Sequence, residues 1–358
     1  METFWFVILI GTIIIYAILD GYDFGAGIIH LFFAKKEEDK TAIHKAIGPF
    51  WDANEVWLIA FGGLMFFAFP VLYASIFSGF YLPLMMILWM LIFRALGLEF
   101  RGVVHNKLWH AIWDKAFGIA SLLLALFFGA ALGNVVRGVN LGGVELAFSK
   151  YESHYFFTPL WNEYFSPLAV HEGILDWFTV LIGILAVITL TIHGANWIIF
   201  KTNSSLNDKL NKLVPKLTVV MGLLTIITIY LWVSYLEGSF ENLANYPLLF
   251  IFPLITITGF NILLFVNKIN KDWIGFLGSS LFIFGGLSTT ACVMFPVFLP
   301  SSNSINPDLT IYNTGINEYG YAVGFKWWII AIILVVLYFI IQHKVFKGKL
   351  DMADYGHH

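Results

Sequence analysis

The sequence predicts an all-α integral membrane protein with about nine transmembrane helices, its amino terminus outside and its carboxyl terminus in the cytoplasm. Of its 358 residues, 59% are hydrophobic and only 12% are charged, whereas a soluble domain carries about 25% charged residues. The apolar residues gather in runs of about 17 to 25, a length that crosses a bilayer as a helix. Because lipid offers no hydrogen-bond partners, each run must satisfy its own backbone groups, which favours helices.

The apolar runs form two groups separated by a long polar stretch. The predicted spans are Trp5–Leu19, Phe50–Phe69, Ser75–Gly97, Ala111–Leu132, Ile174–Ile199, Leu217–Leu236, Leu248–Val266, Trp273–Phe295 and Phe325–Ile341. We expect the first four to form one bundle within residues 1–132 and the next four a second bundle within 174–295. A peripheral ninth helix and a cytoplasmic tail occupy 325–358, and the segments 133–173 and 296–324 are the predicted extracytoplasmic loops.

Lysine and arginine set the predicted direction of the helices, because positive residues in short loops tend to stay in the cytoplasm. They follow the odd-numbered spans, while the intervening loops have few of them. The residues concerned are Lys35, Lys36, Lys40, Lys45, Arg101, Lys107, Lys201, Lys209, Lys212, Lys216, Lys268, Lys271, Lys344, Lys347 and Lys349. No basic cluster exceeds what membrane loops carry, so nucleic acid is not an expected partner.

Carboxylates accumulate where this topology brings the first four spans to the cytoplasmic face. Asp20 and Asp23 follow the first span, and Asp52 and Glu55 begin the second. Members of each pair are three residues apart and share a helix face, so they can line a polar path that takes up protons. The polar and aromatic residues expected to support this path are Trp51, Asn54, Trp57, Arg94, Glu99 and Asp114.

Several of these residues also have a structural interpretation. Asp52 and Asp114 are predicted in the first turns of their helices, where a carboxylate is stabilised by free backbone N–H groups and the helix dipole. The structural interpretation of Arg94 is that it neutralises a carboxylate and has no other role. Trp51 and Trp57 are of a type that often anchors a helix at the membrane interface.

The histidines do not predict a metal or haem site. The candidates are His30, His44, His105, His110, His154, His171, His193 and His343. None lies in the middle of a predicted span with an axial partner at a suitable spacing. His171 and His193 approach helix ends, where a single histidine is usually hydrogen-bonded or exposed. Phosphate-binding glycine loops and nucleophile elbows are also missing from the sequence.

Short motifs along nearly the whole chain resemble subunit II of the cytochrome bd-type quinol oxidases. Each is weak alone, but their order and spacing together are specific. They are Asp20-Gly21-Tyr22-Asp23-Phe24-Gly25, Trp51-Asp52-Ala53-Asn54-Glu55-Val56-Trp57-Leu58, Phe77-Ser78-Gly79-Phe80-Tyr81, Phe93-Arg94, Trp113-Asp114, Met294-Phe295-Pro296 and Pro300-Ser301-Ser302. The chain departs from some relatives at Phe50, where they have histidine, and at Glu55, where they have glutamine.

The resemblance implies a terminal oxidase of the bacterial cytoplasmic membrane that oxidises quinol and reduces O2 to water. Its haem-bearing subunit I is expected to hold two b-type haems and one haem d, so this chain would bind no haem. A structural quinone in this chain and a small single-helix accessory subunit are further family features. The resemblance also implies a proton path from the cytoplasm toward haem d, with Asp52 at its intake and Glu55, Asp20 and Asp23 beyond it.

Two other classes of function stay open at this point. The chain could be purely a structural scaffold of the oxidase, in which case carboxylate substitutions would change haem retention and not proton delivery. It could also be a secondary transporter, whose acidic residues bind ions or substrate near the bilayer midplane between broken helices. The gathering of acids at one face argues against a transporter.

Overall fold

The computed structural model describes residues 1–142, 153–169, 172–235, 240–269, 271–303 and 305–349. This part of the chain is dominated by α-helices. They are α1 (Glu2–Phe32), α2 (Glu37–Ile47), α3 (Trp51–Ala68), α4 (Pro70–Gly79), α5 (Tyr81–Phe100), α6 (Lys107–Arg137), α7 (Trp177–Lys201), α8 (Leu206–Tyr235), α9 (Glu241–Asn245), α10 (Ile251–Leu264), α11 (Asp272–Met294) and α12 (Glu318–Val345). Two short strands, β1 (Val297–Leu299) and β2 (Leu309–Thr310), pair antiparallel.

Eight of the described helices are long and apolar enough to cross a membrane. They are α1, α5, α6, α7, α8, α10 with the turn before it, α11 and α12. The remaining predicted span, Phe50–Phe69, also forms a helix, α3, but its first turns carry Asp52, Asn54 and Glu55 and make it more polar. The structure therefore supports a multi-pass membrane protein with eight of the nine predicted spans.

The first predicted span ends much too early. Helix α1 does not stop at Leu19 but continues through Asp20 and Asp23 to Phe32. The apolar pattern is interrupted there because these polar side chains are buried among neighbouring helices and not exposed to lipid. The basic segment after this span, predicted as a loop, contains the amphipathic helix α2, which buries Ala42, Ile43, Ala46 and Ile47 on one face.

Helix α1 lies at the centre and packs against α3, α6, α7 and α11. Its contact with α7 depends on glycine, since a Cβ atom on Gly25 would lie only 1.8 Å from the carbonyl oxygen of Leu190. A Cβ atom on Gly194 of α7 would lie 2.4 Å from the backbone nitrogen of Ala26. Small residues allow such close helix approach in membranes. The division into two bundles and the orientation of the termini stay predictions.

The ends of α6 and α7 are joined by a buried ion pair between Arg137 and Asp176. Asp176 also caps α7, because its Oδ1 accepts hydrogen bonds from the backbone nitrogens of Phe178 (2.8 Å) and Thr179 (2.9 Å). The two predicted outer loops meet on this side, where Val139 forms a parallel bridge with Ser301. Helix α6 extends beyond its predicted end, to Arg137.

Candidate functional site

A fully buried arginine on α5 joins carboxylates from two other helices. Arg94 donates one hydrogen bond to Asp20 of α1 at 2.5 Å and another to Glu55 of α3 at 3.0 Å. The side chains of Arg94 and Asp20 have no exposed area, whereas Glu55 keeps 23% of its side-chain area exposed. The guanidinium also lies over the ring of Phe24, 4.8 Å from its centroid. One cation therefore connects three helices.

Asp23 is held beside this arginine by an amide. The Nδ2 of Asn54 donates to the Oδ2 of Asp23 at 2.9 Å and also contacts the hydroxyl oxygen of Tyr22 at 2.6 Å. Asp23 and Asn54 are both buried. The residues Asp20, Asp23, Asn54, Glu55 and Arg94 form what we call the Arg94 cluster. It has three carboxyl groups for one guanidinium.

The carboxylates of α1 and α3 become less exposed along one direction. Asp52, in the first turn of α3, is exposed to solvent. Glu55 lies three residues further along the same helix and is partly exposed, and its Arg94 contact leads to the fully buried Asp20. Of the four acids predicted for the path, Asp52 is thus exposed, Glu55 is partly exposed, and Asp20 and Asp23 are both buried.

The last predicted carboxylate, Asp114, belongs to a separate cluster formed by α1, α2, α6 and the turn after α5. It accepts hydrogen bonds from the Nε of Arg101 at 2.6 Å and the Nζ of Lys40 at 2.7 Å, and the Nε2 of His30 lies 3.3 Å away. Arg101 and Lys40 also both contact Glu37. We call His30, Glu37, Lys40, His44, Arg101 and Asp114 the Asp114 cluster.

The alternative interpretation of Asp114 as a capping residue is wrong. Helix α6 begins at Lys107, so Asp114 lies two turns inside it. The side chain of Asn106 caps the helix instead, accepting from the backbone nitrogens of Leu108 at 2.8 Å and Trp109 at 3.5 Å. The predicted apolar span begins at Ala111, four residues after the start of the helix, because Lys107 and His110 interrupt the apolar residues of the first turn.

Two groups on α2 have pKa values set by the Asp114 cluster. Burial holds the pKa of His44 well below its ordinary value, and the neighbouring His30 and Arg101 add to this effect. Burial opposes ionisation of Glu37, but the hydrogen bonds from Lys40 and Arg101 outweigh it and lower the pKa of that carboxyl. His44 is therefore neutral and Glu37 is charged near pH 7.

The three remaining predicted residues lie outside both clusters. Trp51 and the exposed Glu99 line a surface cavity of about 230 Å³ together with His44, Gly48 and Leu98. Trp57 packs on Phe339 of α12, with ring centroids 5.8 Å apart. Glu99 therefore makes no contact with Arg94, although both lie on α5.

Sequence reasoning missed the partners of Asp114. Lys40 and Arg101 were interpreted only as orienting charges, and His30 and His44 were not expected to form a site. One signal was available, since Ala42, Ile43, Ala46 and Ile47 repeat with the period of an amphipathic helix. Of the two histidines predicted near helix ends, His171 lies outside the described residues. His193 is buried, and its Nδ1 lies 2.7 Å from the Oγ of Ser279. Its Nε2 lies 2.7 Å from the carbonyl oxygen of Ile18.

A bundle of apolar helices that encloses a buried arginine between acids defines a multi-pass membrane protein with an internal ionic site. The family model described as cytochrome bd terminal oxidase subunit II matches residues 1–346. The chain belongs to this family, and the resemblance carried by its motifs is confirmed.

Three curated relatives are similar over most of their length. The probable cytochrome oxidase subunit 2 of Haemophilus influenzae is 28% identical over 97% of this chain and 94% of its own. The cytochrome bd-I ubiquinol oxidase subunit 2 of Escherichia coli K12 is 26% identical over 86% of this chain and 84% of its own. The cytochrome bd ubiquinol oxidase subunit 2 of Bacillus subtilis is 26% identical, with coverages of 90% and 89%.

Proposed function

We propose that this chain is the non-haem subunit II of a quinol oxidase in the bacterial cytoplasmic membrane. The complex oxidises quinol, reduces O2 to water and pairs this chain with a haem-bearing subunit I. The family membership and the names of the relatives from Escherichia coli and Bacillus subtilis support this proposal. Two b-type haems and one haem d belong to subunit I, and a small single-helix subunit and a structural quinone complete the assembly.

The buried histidines of the described residues do not fit an axial haem ligand, which supports placing the haems on the partner. His193 has both ring nitrogens in hydrogen-bond contacts, so neither is free for iron. The ring of His30 lies edge-on to that of His44 with centroids 5.2 Å apart and packs on Phe117 at 5.4 Å.

We further propose that this subunit takes up protons from the cytoplasm for oxygen reduction. The observation that carries this is the order of burial, from the exposed Asp52 through Glu55 to the Arg94 cluster. Reducing O2 consumes protons, and taking them from inside while quinol releases its own outside builds a membrane potential. Asp52 is the intake, and Glu55 receives protons from it along the same helix face.

The Arg94 cluster has the charge balance that proton transfer requires. Three carboxyl groups share one guanidinium, and isolated charges are costly in a dry interior. The cluster therefore reduces its charge by holding protons on its carboxyl groups, and closely interacting carboxyls titrate as a unit. Arg94 keeps some of these carboxyl groups ionised. An ionised carboxylate is then available to accept a proton that arrives at Glu55.

The test is the Asp52→Asn variant, purified with the partner subunit. Asn keeps the side-chain size but cannot carry the proton, so we expect O2 consumption with excess quinol to fall about tenfold, a barrier increase of about 1.4 kcal/mol. Haem content, read from the absorption spectrum, should stay unchanged. Glu38→Gln is the matched control, since Glu38 is an exposed carboxylate on α2 outside both clusters.

The outcomes separate the proposal from the scaffold alternative. Unchanged O2 consumption in Asp52→Asn would reject the intake role. Loss of haem together with activity would favour a purely structural role for the carboxylates. Equal losses in Asp52→Asn and Glu38→Gln would mean that surface charge, and not a path, controls the rate.

A further inference from the structure

Two histidines and one carboxylate converge where α1, α2 and α6 meet. The ligand-type atoms of His30, His44 and Asp114 all lie within 4.8 Å of one another. Each residue comes from a different helix, so the arrangement is created by the fold and not by local sequence. The proposed oxidase function uses none of these three side chains.

The histidines have nitrogen atoms without hydrogen-bond partners. The Nδ1 of His30 and the Nε2 of His44 are shielded from solvent and make no hydrogen bond, and the Nε2 of His30 has only the Asp114 carboxylate, 3.3 Å away. His30 as a whole is 3% exposed. Buried polar atoms are normally satisfied, so two unpartnered nitrogens beside this contact need an explanation such as an ion. Imidazole nitrogens and a carboxylate oxygen are typical ligands of zinc.

We propose that His30, His44 and Asp114 bind an exchangeable divalent transition-metal ion of the zinc class. Zinc–ligand distances of about 2.0–2.1 Å place neighbouring tetrahedral ligands about 3.3 Å apart. His30 Nε2 and Asp114 Oδ1 already have this separation, at 3.3 Å. Only the His44 ring has to move closer, and the fourth position is left to water.

The cavity beside α2 gives the ion a route from solvent. It is lined by His44, Trp51 and the exposed Glu99, so one wall leads to the proposed ligand and another carries an acidic group at the surface. A hydrated cation can therefore reach His44 without crossing the apolar core.

Two cations compete with the metal for Asp114, which makes the ion exchangeable and not permanent. Lys40 and Arg101 each bind Asp114, but each also contacts Glu37 at the surface. Glu37 can keep both when the metal takes Asp114. Arg101 binds the same Oδ1 that faces His30, and Lys40 binds Oδ2. The ion therefore either shares Oδ1 with Arg101 or takes Oδ2 from Lys40, whose side chain is 22% exposed, compared with 13% for Arg101.

The first experiment measures zinc binding to the purified, metal-stripped protein by equilibrium dialysis against ZnCl2 and elemental analysis. We expect one site that is weakened at least about tenfold by His44→Gln or His30→Gln, since each removes one of three ligands. His105→Gln is the control, because His105 is exposed in the turn before α6. Equal affinity in His44→Gln and wild-type protein would overturn the proposal.

A second pair of variants tests the site by a gain of affinity, which misfolding cannot produce. Lys40→Gln removes a competing charge next to Asp114 and should tighten zinc binding by about tenfold. Lys35→Gln makes the same charge change at an exposed position of the same segment and should leave the affinity within about twofold. Identical affinities for these two variants would contradict the site.

X-ray absorption at the zinc edge should show two imidazole ligands, and a spectrum without imidazole would also contradict the site.

Discussion

The two ionic clusters on α1 have different charge balances, since the first has an excess of carboxyl groups and the second has as many permanent cations as carboxylates. The Arg94 cluster holds three carboxyl groups and one cation. The Asp114 cluster surrounds its carboxylates with Lys40, Arg101 and two histidines. The first is deep, with Arg94 and Asp20 fully buried, and the second opens to the surface through Glu37, whose side chain is 65% exposed.

This difference separates a site suited to holding protons from one suited to fastening helices. An acid-rich, dry cluster reduces its charge by binding protons, so its occupancy can change during turnover. In the Asp114 cluster each carboxylate has two cationic partners, and its contacts tie α2 to α6 and to the turn after α5. The comparison therefore predicts that replacing a carboxylate of the first cluster changes activity, that replacing one of the second changes stability, and that removing the single cation of the first costs the most stability.

Replacing Arg94 by Leu should have the largest effect on the fold. It leaves Asp20 and Glu55 without their shared cation, and breaking a buried ion pair from one side costs about 3–5 kcal/mol. We expect little folded protein, measured as the yield of monodisperse material in detergent and its thermal unfolding midpoint. Arg101→Leu is the matched control, since Asp114 keeps Lys40 and His30. A similar loss in both variants would remove the distinction between the clusters.

Asp20→Asn and Asp114→Asn sharpen the same comparison. Asp20→Asn keeps Arg94 paired with Glu55 but removes the buried acceptor, so O2 consumption should fall about tenfold or more with a smaller loss of stability. Asp114→Asn should instead lower the free energy of unfolding by about 1–3 kcal/mol, because three donors lose a charged acceptor. Activity per mole of haem d and thermal unfolding of the same preparations measure the two effects. The reverse pattern would exchange the roles assigned to the clusters.

The sequence predicts the Arg94 cluster better than the Asp114 cluster for a physical reason. The residues of the Arg94 cluster interrupt apolar runs. Polar residues at such positions are easily noticed, because burying them in a membrane costs free energy unless they are paired. Their convergence follows once neighbouring helices are placed together. What could not be predicted is that α1 continues past Asp20, since the helix is maintained by packing against α7 at Gly25 and not by an apolar pattern.

The Asp114 cluster depends on contacts that no local pattern contains. Lys40 and Asp114 are 74 residues apart in the sequence, and their pairing requires α2 to fold back against α1 and α6. Charged residues between predicted spans are ordinarily solvated, so the sequence gives no sign that Lys40 and Arg101 have a buried partner. Similarly, α3 is less apolar than the eight membrane-crossing helices of the described residues, because its polar first turns belong to the Arg94 cluster.

The smallest expected effect is a pH dependence specific to the Asp114 cluster. The pKa of His44 is held well below its ordinary value of 6.5 by burial and by His30, Arg101 and Lys40, against the opposing charge of Asp114. The unfolded chain therefore binds a proton at His44 in a pH range where the folded chain does not. The contribution of His44 to the free energy of unfolding is fully present above pH 6.5. It is lost as the pH falls from there through the lower pKa of His44 in the folded state.

His44→Gln removes this one contribution, because glutamine does not titrate. Thermal unfolding midpoints measured from pH 7.5 to pH 5 should fall less steeply for His44→Gln than for the wild-type protein, and His105→Gln should follow the wild type, since His105 is exposed. The slope difference cannot exceed that of one proton, about 1.4 kcal/mol per pH unit. Parallel curves for all three proteins would show that His44 takes up its proton as easily in the folded state as in the unfolded one. The Asp114 cluster would then be open to water, and its contrast with the dry Arg94 cluster would be one of solvent access as well as of charge.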